Sequence, residues 1–278
     1  MNNLKITIVS YSWPPRNSIS THRPYSWARY WSDKGADITV ITAEKQSFDH
    51  PLDMNLRELK SVNVIQIPYE IFWAPLLSIP LKFSAIEKTG KWFRKRFINY
   101  LGPNYDPRNA WSLAASPVVS KIARESDVVI STYGPEASHK IGCKMKIINP
   151  KVYWIADYRD LWSENPSLID AQKNLKKKIR NDELKIVGQY ADLLTSVSDD
   201  MCNRLEKLHN KNSLKVPNGF DIDEKIVNEN LSSQKVRLNK IFKISYTGSI
   251  YSKESSPIML LEAIVNLIKK KKNPRKIY

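Results

Sequence analysis

A doubly wound α/β fold, a parallel sheet covered by helices on both faces, is what the sequence predicts for residues 1 to about 218. Three features predict it. Short, nearly continuous apolar runs recur, without the 3.6-residue period of a helix. They alternate with longer segments that carry helical spacing and capping residues. The strands also lack a polar face, as expected of a sheet buried on both sides.

Taken in order, LKITIVSY (4–11) is the first strand. The loop SWPPRNSIS follows, its paired prolines forbidding immediate helix. Ser20 or Thr21 can cap a helix that runs to about Lys34 and stops at Gly35. DITVITA (37–43) and NVIQIPY (63–69) are the next strands. A basic helical segment is expected over 82–100, and Asp106-Pro107 opens another helix that reaches about Ser126. DVVISTY (127–133) is a strand, a short helix starts at Pro135, and KVYWIADY (151–158) is the next strand. A long helix spans about Ser167 to Tyr190, LLTSV (193–197) is a strand, and Ser198 caps a helix through Leu208. SLKVPN (213–218) closes the domain.

The polar stretch 219–240 has the composition of a linker. One strand (FKISYTGSIY, 242–251) and one helix from Pro257 then open a second Rossmann-like domain over 241–278. About 40 residues cannot build an independent core, so this domain is expected to be incomplete. A partner as large as the first domain needs roughly 100 more residues. The closing KKKKNPRKIY has no period, which suggests a truncation or a reading-frame slip in an adenine-rich tract.

The formal charge of +16 is concentrated in three patches. Six basic and one acidic side chain fall in 82–98, six and two in 173–185, and six and none in 269–278. Such a chain attracts anionic partners. No helix-turn-helix, finger or RNP-like pattern accompanies the charge, so nucleic acid is not expected. IFWAPLLSIPL running into KTGKWFRKRF (71–98) has the make-up of an interfacial anchor on an anionic inner-membrane surface. The alternative is a solvated cationic helix packed by its aromatics. No apolar stretch is long enough to span a bilayer and no leader precedes the first strand, so a cytoplasmic location is expected. Cys143 and Cys202 are too few and too far apart for a zinc site or a disulfide framework.

Open α/β sheets bind ligands beyond the carboxyl ends of their strands. The unusual polar residues fall there: Arg16 and Asn17 after the first strand, and Glu136 and His139 after the fourth. Asp157, Arg159 and Asp160 follow on the fifth, Asn218 and Gly219 come after the last strand of the domain, and Gly248 and Lys253 follow the strand of the fragment. Each group has a plainer reading. WPPRNS serves equally as a rigid proline loop; it is not GxGxxG, which argues against a dinucleotide. Asp157-Tyr-Arg-Asp160 serves as an internal brace, His139 as a packing residue, and PNG as a simple turn.

Together these segments resemble glycosyltransferase family 4, retaining enzymes of the GT-B fold. The resemblance lies in SYSWPPRNSISTHR, DVVISTYGPEASHKIG, VYWIADYRDLW, QYADLLTSVSDDM, VPNGFD and YTGSIYSKE…LLEAI, in the family's order. DYRDLW is similar to members that build bacterial surface polysaccharides. The resemblance implies transfer of a sugar from a nucleotide-diphosphate sugar to a lipid-linked or oligosaccharide acceptor, with no metal or other cofactor. It places His139 and Asp157 beside the reacting hydroxyl and Arg16, Asn17, Glu136, Arg159 and Asp160 along the acceptor. Asn218, Gly219, Gly248 and Lys253 would lie toward the donor. The sequence departs from the family: Asn17-Ser18 replace a glycine pair, Lys253 lies earlier after Gly248 than the family's usual basic residue, Ser249 replaces an arginine, and the donor-binding E-x7-E element and the closing helix are missing. Weak transfer, or acceptor binding without catalysis, is expected of this chain alone.

Overall fold

The computed structural model describes residues 3–46, 49, 51–69, 106–165, 173–219, 244–246 and 256–270. Seven strands form one sheet: β1 (Lys5–Val9), β2 (Asp37–Ala43), β3 (Val62–Ile67), β4 (Val128–Thr132), β5 (Tyr153–Tyr158), β6 (Leu193–Ser196) and β7 (Ser213–Lys215). Their order is β3-β2-β1-β4-β5-β6-β7 and every pairing is parallel, which is the predicted doubly wound sheet. The helices are α1 (Ile19–Asp33), α2 (Ala110–Ala114), α3 (Ser116–Glu125), α4 (Ala137–Ile148), α5 (Lys173–Glu183), α6 (Asp199–His209) and α7 (Ile258–Lys270). The chain divides into two compact units, 1–221 and 222–278. In the second unit, α7 exposes Ile258, Met259, Leu260, Leu261, Val265 and Leu267.

Strand alternation sends successive side chains to opposite faces and makes two cores. On one face Val9, Ile41, Val129, Trp154, Ala156 and Leu194 pack against Val119 and Ala123 of α3, Ile141 and Met145 of α4 and Leu205 of α6. On the other, Ile6, Ile8, Ile38, Val40 and Ile130 pack against Tyr25 and Ala28 of α1. Burial of apolar surface at about 25 cal/mol per Å² drives both layers together.

Helix ends follow local chemistry. Ser198 caps α6 as expected, its Oγ accepting from the Met201 amide at 3.3 Å. Helix α1 stops at Gly35, whose φ of +88° lets Gly35 and Ala36 donate back to Ser32 and Trp31. Its cap, however, is Ser18 rather than Ser20 or Thr21. Those two hydroxyls are used otherwise, Ser20 donating to Ser12 Oγ at 2.8 Å and Thr21 to the Arg16 carbonyl at 2.9 Å. The single helix expected from Pro107 to Ser126 is broken at Ala115, because Pro117 has no N–H to continue the ladder. The basic segment 82–100 and the proposed anchor at 71–98 lie outside the described residues.

Gly142 marks where α4 meets the sheet: a Cβ built there would stand 2.5 Å from Trp154 Nε1 and 2.9 Å from Ser131 Oγ. Gly142→Ala is therefore expected to destabilise the first unit by about 1–3 kcal/mol, as overpacked cores do. Urea unfolding of the variant beside the parent checks the sign.

Candidate functional site

Connections leave neighbouring β1 and β4 in opposite directions, so a crevice opens beyond their carboxyl ends. A cavity of about 310 Å³ lies on the β4 side of it, beyond the carboxyl ends of β4 and β5. Its wall combines three acids (Asp106, Glu136, Asp160), one cation (Arg108) and two aromatic rings (Tyr133, Trp162). Two larger clefts, about 520 and 540 Å³, open at the amino ends of the strands, around Lys5, Asp37 and Asn63 and around Leu4, Lys34 and Val128. Neither joins aromatic rings to converging carboxylates, and the cavity at the carboxyl ends is the candidate site.

Each polar group there is oriented by a neighbour. Arg108 holds Asp106 in a fork, Nε to Oδ1 at 2.9 Å and Nη2 to Oδ2 at 2.6 Å. Glu136, just before α4, accepts from Asn109 Nδ2 at 3.0 Å and pairs with Lys140. Asp160 is the open carboxylate, 59% exposed and braced by Arg159 Nε at 3.1 Å. The Arg159 guanidinium lies over Gly134, where a Cβ would meet Nη2 at 2.7 Å and φ is +103°. Only glycine fits both constraints. Tyr133 stacks on Tyr158 at 6.2 Å and tilts toward Trp162 at 5.9 Å. Burial, then the fields of Glu136, Glu183, Asp106 and Asp160, push the Tyr133 hydroxyl well above its ordinary pKa. The cavity thus offers carboxylate acceptors, each paired with a cation, and suits hydroxyl donors.

His139 and Asp157 are expected from sequence beside a reacting hydroxyl; the structure instead buries both completely. His139 lies in a cage of Tyr133, Trp154, Tyr158 and Trp162, its Nδ1 2.8 Å from Ser131 Oγ and its Nε2 without a partner among the described residues. Burial pushes its pKa down to about 3. The physical reason is local: His139 sits on the core face of the first turn of α4, behind the cavity wall. Asp157 is clamped by a residue 134 positions away, accepting from Arg23 Nε at 3.1 Å and Nη2 at 2.7 Å, and from Thr195 Oγ1 at 2.7 Å. Arg23 also donates to the Pro217 carbonyl at 3.1 Å and Asn218 Oδ1 at 3.3 Å, and its guanidinium stacks over Trp27. Asn218 is thereby brought to the same edge of the sheet as Asp157, while Gly219 stands exposed.

The proline loop is also committed. The Asn17 amide donates to the Pro51 carbonyl at 2.8 Å and its side chain to Asp53 at 2.9 Å. Arg16 lies 3.6 Å from Asp49 and 5.5 Å from the Tyr11 ring centroid, with Lys45 and Arg108 at 5.2 and 5.6 Å from the same ring. Lys45 gives its protons to the Tyr11 and Ala43 carbonyls and Thr42 Oγ1, and burial lowers it to about 7 against the pull of Asp49. Gly248 and Lys253 lie outside the described residues. Both cysteines are free and buried. Among the described residues no His, Cys, Asp and Glu cluster would hold a metal ion, and no helix is long and apolar enough to cross a membrane.

Sequence reasoning passed over Asp106, Arg108, Tyr133 and Trp162. Asp106-Pro107 signalled a helix start, and Trp162 stood inside a quoted motif without being assigned to the wall. Arg23 closes the quoted SYSWPPRNSISTHR, but nothing in the motif pointed to its partner 134 positions away.

No protein-family model matches the chain, and no curated protein matches it in sequence. Solved structures do resemble it. A sucrose-phosphate synthase from Thermosynechococcus elongatus matches at TM-score 0.43 and 11% identity, over 82% of this chain and 96% of that one. Arabidopsis thaliana UGT89C1 complexed with UDP-L-rhamnose matches at 0.45 and 12%, over 81% and 54%. A putative UDP-N-acetylglucosamine 2-epimerase from Listeria monocytogenes matches at 0.40 and 12%, over 74% and 43%. The chain thus spans about half of the plant protein's length. At these scores the functional reading rests on this chain's own residues.

Proposed function

We propose that the chain is the acceptor side of a retaining, two-lobed sugar transferase of the GT-B type. The 310 Å³ cavity beyond the carboxyl ends of β4 and β5 carries this reading. A sugar presents an apolar C–H face and a rim of hydroxyls, and a pocket with aromatic walls and a few oriented polar groups matches both. Tyr133 and Trp162 supply the rings. Glu136 and Asp160 accept from hydroxyls, and Arg108 donates its remaining N–H groups. In this reading Glu136 and Asp160 bind the reacting hydroxyl, in the place sequence expected of His139 and Asp157. Donor contacts belong to the second unit, with Gly248 admitting backbone to the diphosphate and Lys253 neutralising it, and no metal is required. The acceptor is a lipid-linked saccharide in surface-polysaccharide synthesis, met at the inner membrane face through 71–98. Binding without catalysis is the second reading, favoured by the burial of His139 and Asp157.

The test is calorimetric titration of the purified chain with methyl glycosides and a panel of UDP-, GDP- and CMP-sugars. Saccharide binding is expected to weaken about tenfold or more in Trp162→Ala and Asp160→Asn. Unchanged binding in both variants would remove the cavity from the reading. Transfer or hydrolysis of a nucleotide sugar by the intact chain separates the enzyme from the binding protein.

A further inference from the structure

We infer that Glu183 and His209 are positioning residues for the cavity, holding the Trp162 wall in place from behind. The inference rests on the reading of the cavity as a saccharide site. At the end of α5 the helix widens into a π turn, Leu184–Gly188. Such turns insert one extra residue at a cost in helix stability, and they recur at functional sites. Here the π turn wraps an imidazole. Glu183 Oε1 stands 3.2 Å from His209 Nε2 on one side, and a Cβ on Gly188 would stand 3.1 Å from Nδ1 on the other.

The second oxygen of the same carboxylate reaches the cavity wall. Glu183 Oε2 accepts the Ser163 amide at 3.0 Å, one residue beyond Trp162. Tyr158 Oη lies 3.3 Å from His209 Nε2, and the Tyr158 ring backs Tyr133, which leans on Trp162. Ile179, one turn before Glu183, lines the cavity itself. A single buried carboxylate therefore ties α5, α6, β5 and the 161–165 loop together where two of them form the ligand surface. Burying a carboxylate is costly unless its lone pairs are filled. Burial pushes Glu183 upward, but hydrogen bonds from His209 and Ser163 outweigh it and hold the group below its ordinary value. Neither residue stands beside the cavity as a reacting group, so the assignment is to geometry and not to proton transfer.

Glutamine at 183 offers one acceptor oxygen; it keeps both contacts only by donating its amide to His209 Nε2, which forces the imidazole proton onto Nδ1, buried beside Gly188 with no acceptor among the described residues. The full chain labelled with 5-fluorotryptophan reports the outcome by fluorine NMR, with the Trp162 resonance assigned by Trp162→Phe. In Glu183→Gln the Trp162 signal is expected to shift and broaden, while Trp13 and Trp111, in other parts of the domain, keep theirs. Affinity for methyl α-glucoside, methyl α-galactoside or N-acetylglucosamine, whichever the parent binds, is expected to fall about tenfold. Glu183→Asp, which keeps the charge, should recover part of the loss. An unmoved Trp162 signal overturns the inference. A Trp162 signal that moves in a chain whose parent binds none of the three saccharides upholds the positioning and overturns the saccharide reading. Should Glu183→Gln fail to fold, the same spectrum of His209→Gln decides, with the same two outcomes.

Discussion

Replacing Arg23 with alanine is expected to cost the first unit about 3–5 kcal/mol, the range for breaking a buried ion pair from one side. The Arg23 side chain is 5% exposed and that of Asp157 is 0% exposed. Removing the guanidinium deletes two hydrogen bonds to Asp157 and leaves its carboxylate buried with Thr195 Oγ1 as donor. For a unit of this size the loss corresponds to a melting temperature lower by roughly 6–20 °C. The double variant Arg23→Met/Asp157→Leu should recover most of it, because an apolar pair has no stranded charge. Arg23 also anchors Pro217 and Asn218, so proteolysis just after Asn218 should accelerate in Arg23→Ala. A single variant that melts within about 2 °C of the parent would show that the clamp contributes little.

Acid is expected to destabilise the first unit in two windows with different origins. His139 is held neutral by burial, its pKa lowered from 6.5 to about 3, with Glu183 pulling up and His209 pushing down. The unfolded chain binds this proton near 6.5 and the folded one does not, so unfolding takes up a proton as the pH falls. The stability is complete above 6.5 and is lost progressively toward 3. At about 1.4 kcal/mol per pH unit, roughly 3 kcal/mol is gone by about pH 4.5. Glu183 acts lower: its carboxyl is held below 4.5, so its contribution is present above 4.5 and disappears as the pH falls through the depressed folded value. Urea unfolding from about pH 7 to 4.5 separates them, since His139→Gln should flatten the slope by about one proton and Glu183→Gln should leave it unchanged there. An unaltered slope in His139→Gln would remove the histidine as its source.

Much of the site's address was legible without coordinates. Arg16, His139, Asp157 and Asn218 all follow or end strands, and the parallel sheet carries them to one edge. Their orientations were not legible. His139 turns to the core because α4 starts at Ala137, which places residue 139 over the Tyr158 and Trp154 rings. Asp160, three residues after Asp157 and past the end of β5, is free to open into the cavity.

The sequence by itself determined the strands, the Ser198 cap, the Gly35 stop and the doubly wound class, because these depend on neighbours within a few residues. Period, Ser198 before Asp199 and Gly35 after Lys34 act over one helical turn, and short apolar runs alternating with helical segments point to a sheet buried on both faces. Only the tertiary structure decided which polar residues are spent on stability and which remain for a ligand. Arg23 meets Asp157 across 134 positions, and Glu183 meets both Ser163 and His209. A partner that distant leaves no local trace, since the contact exists only once the sheet has brought the two elements within about 3 Å.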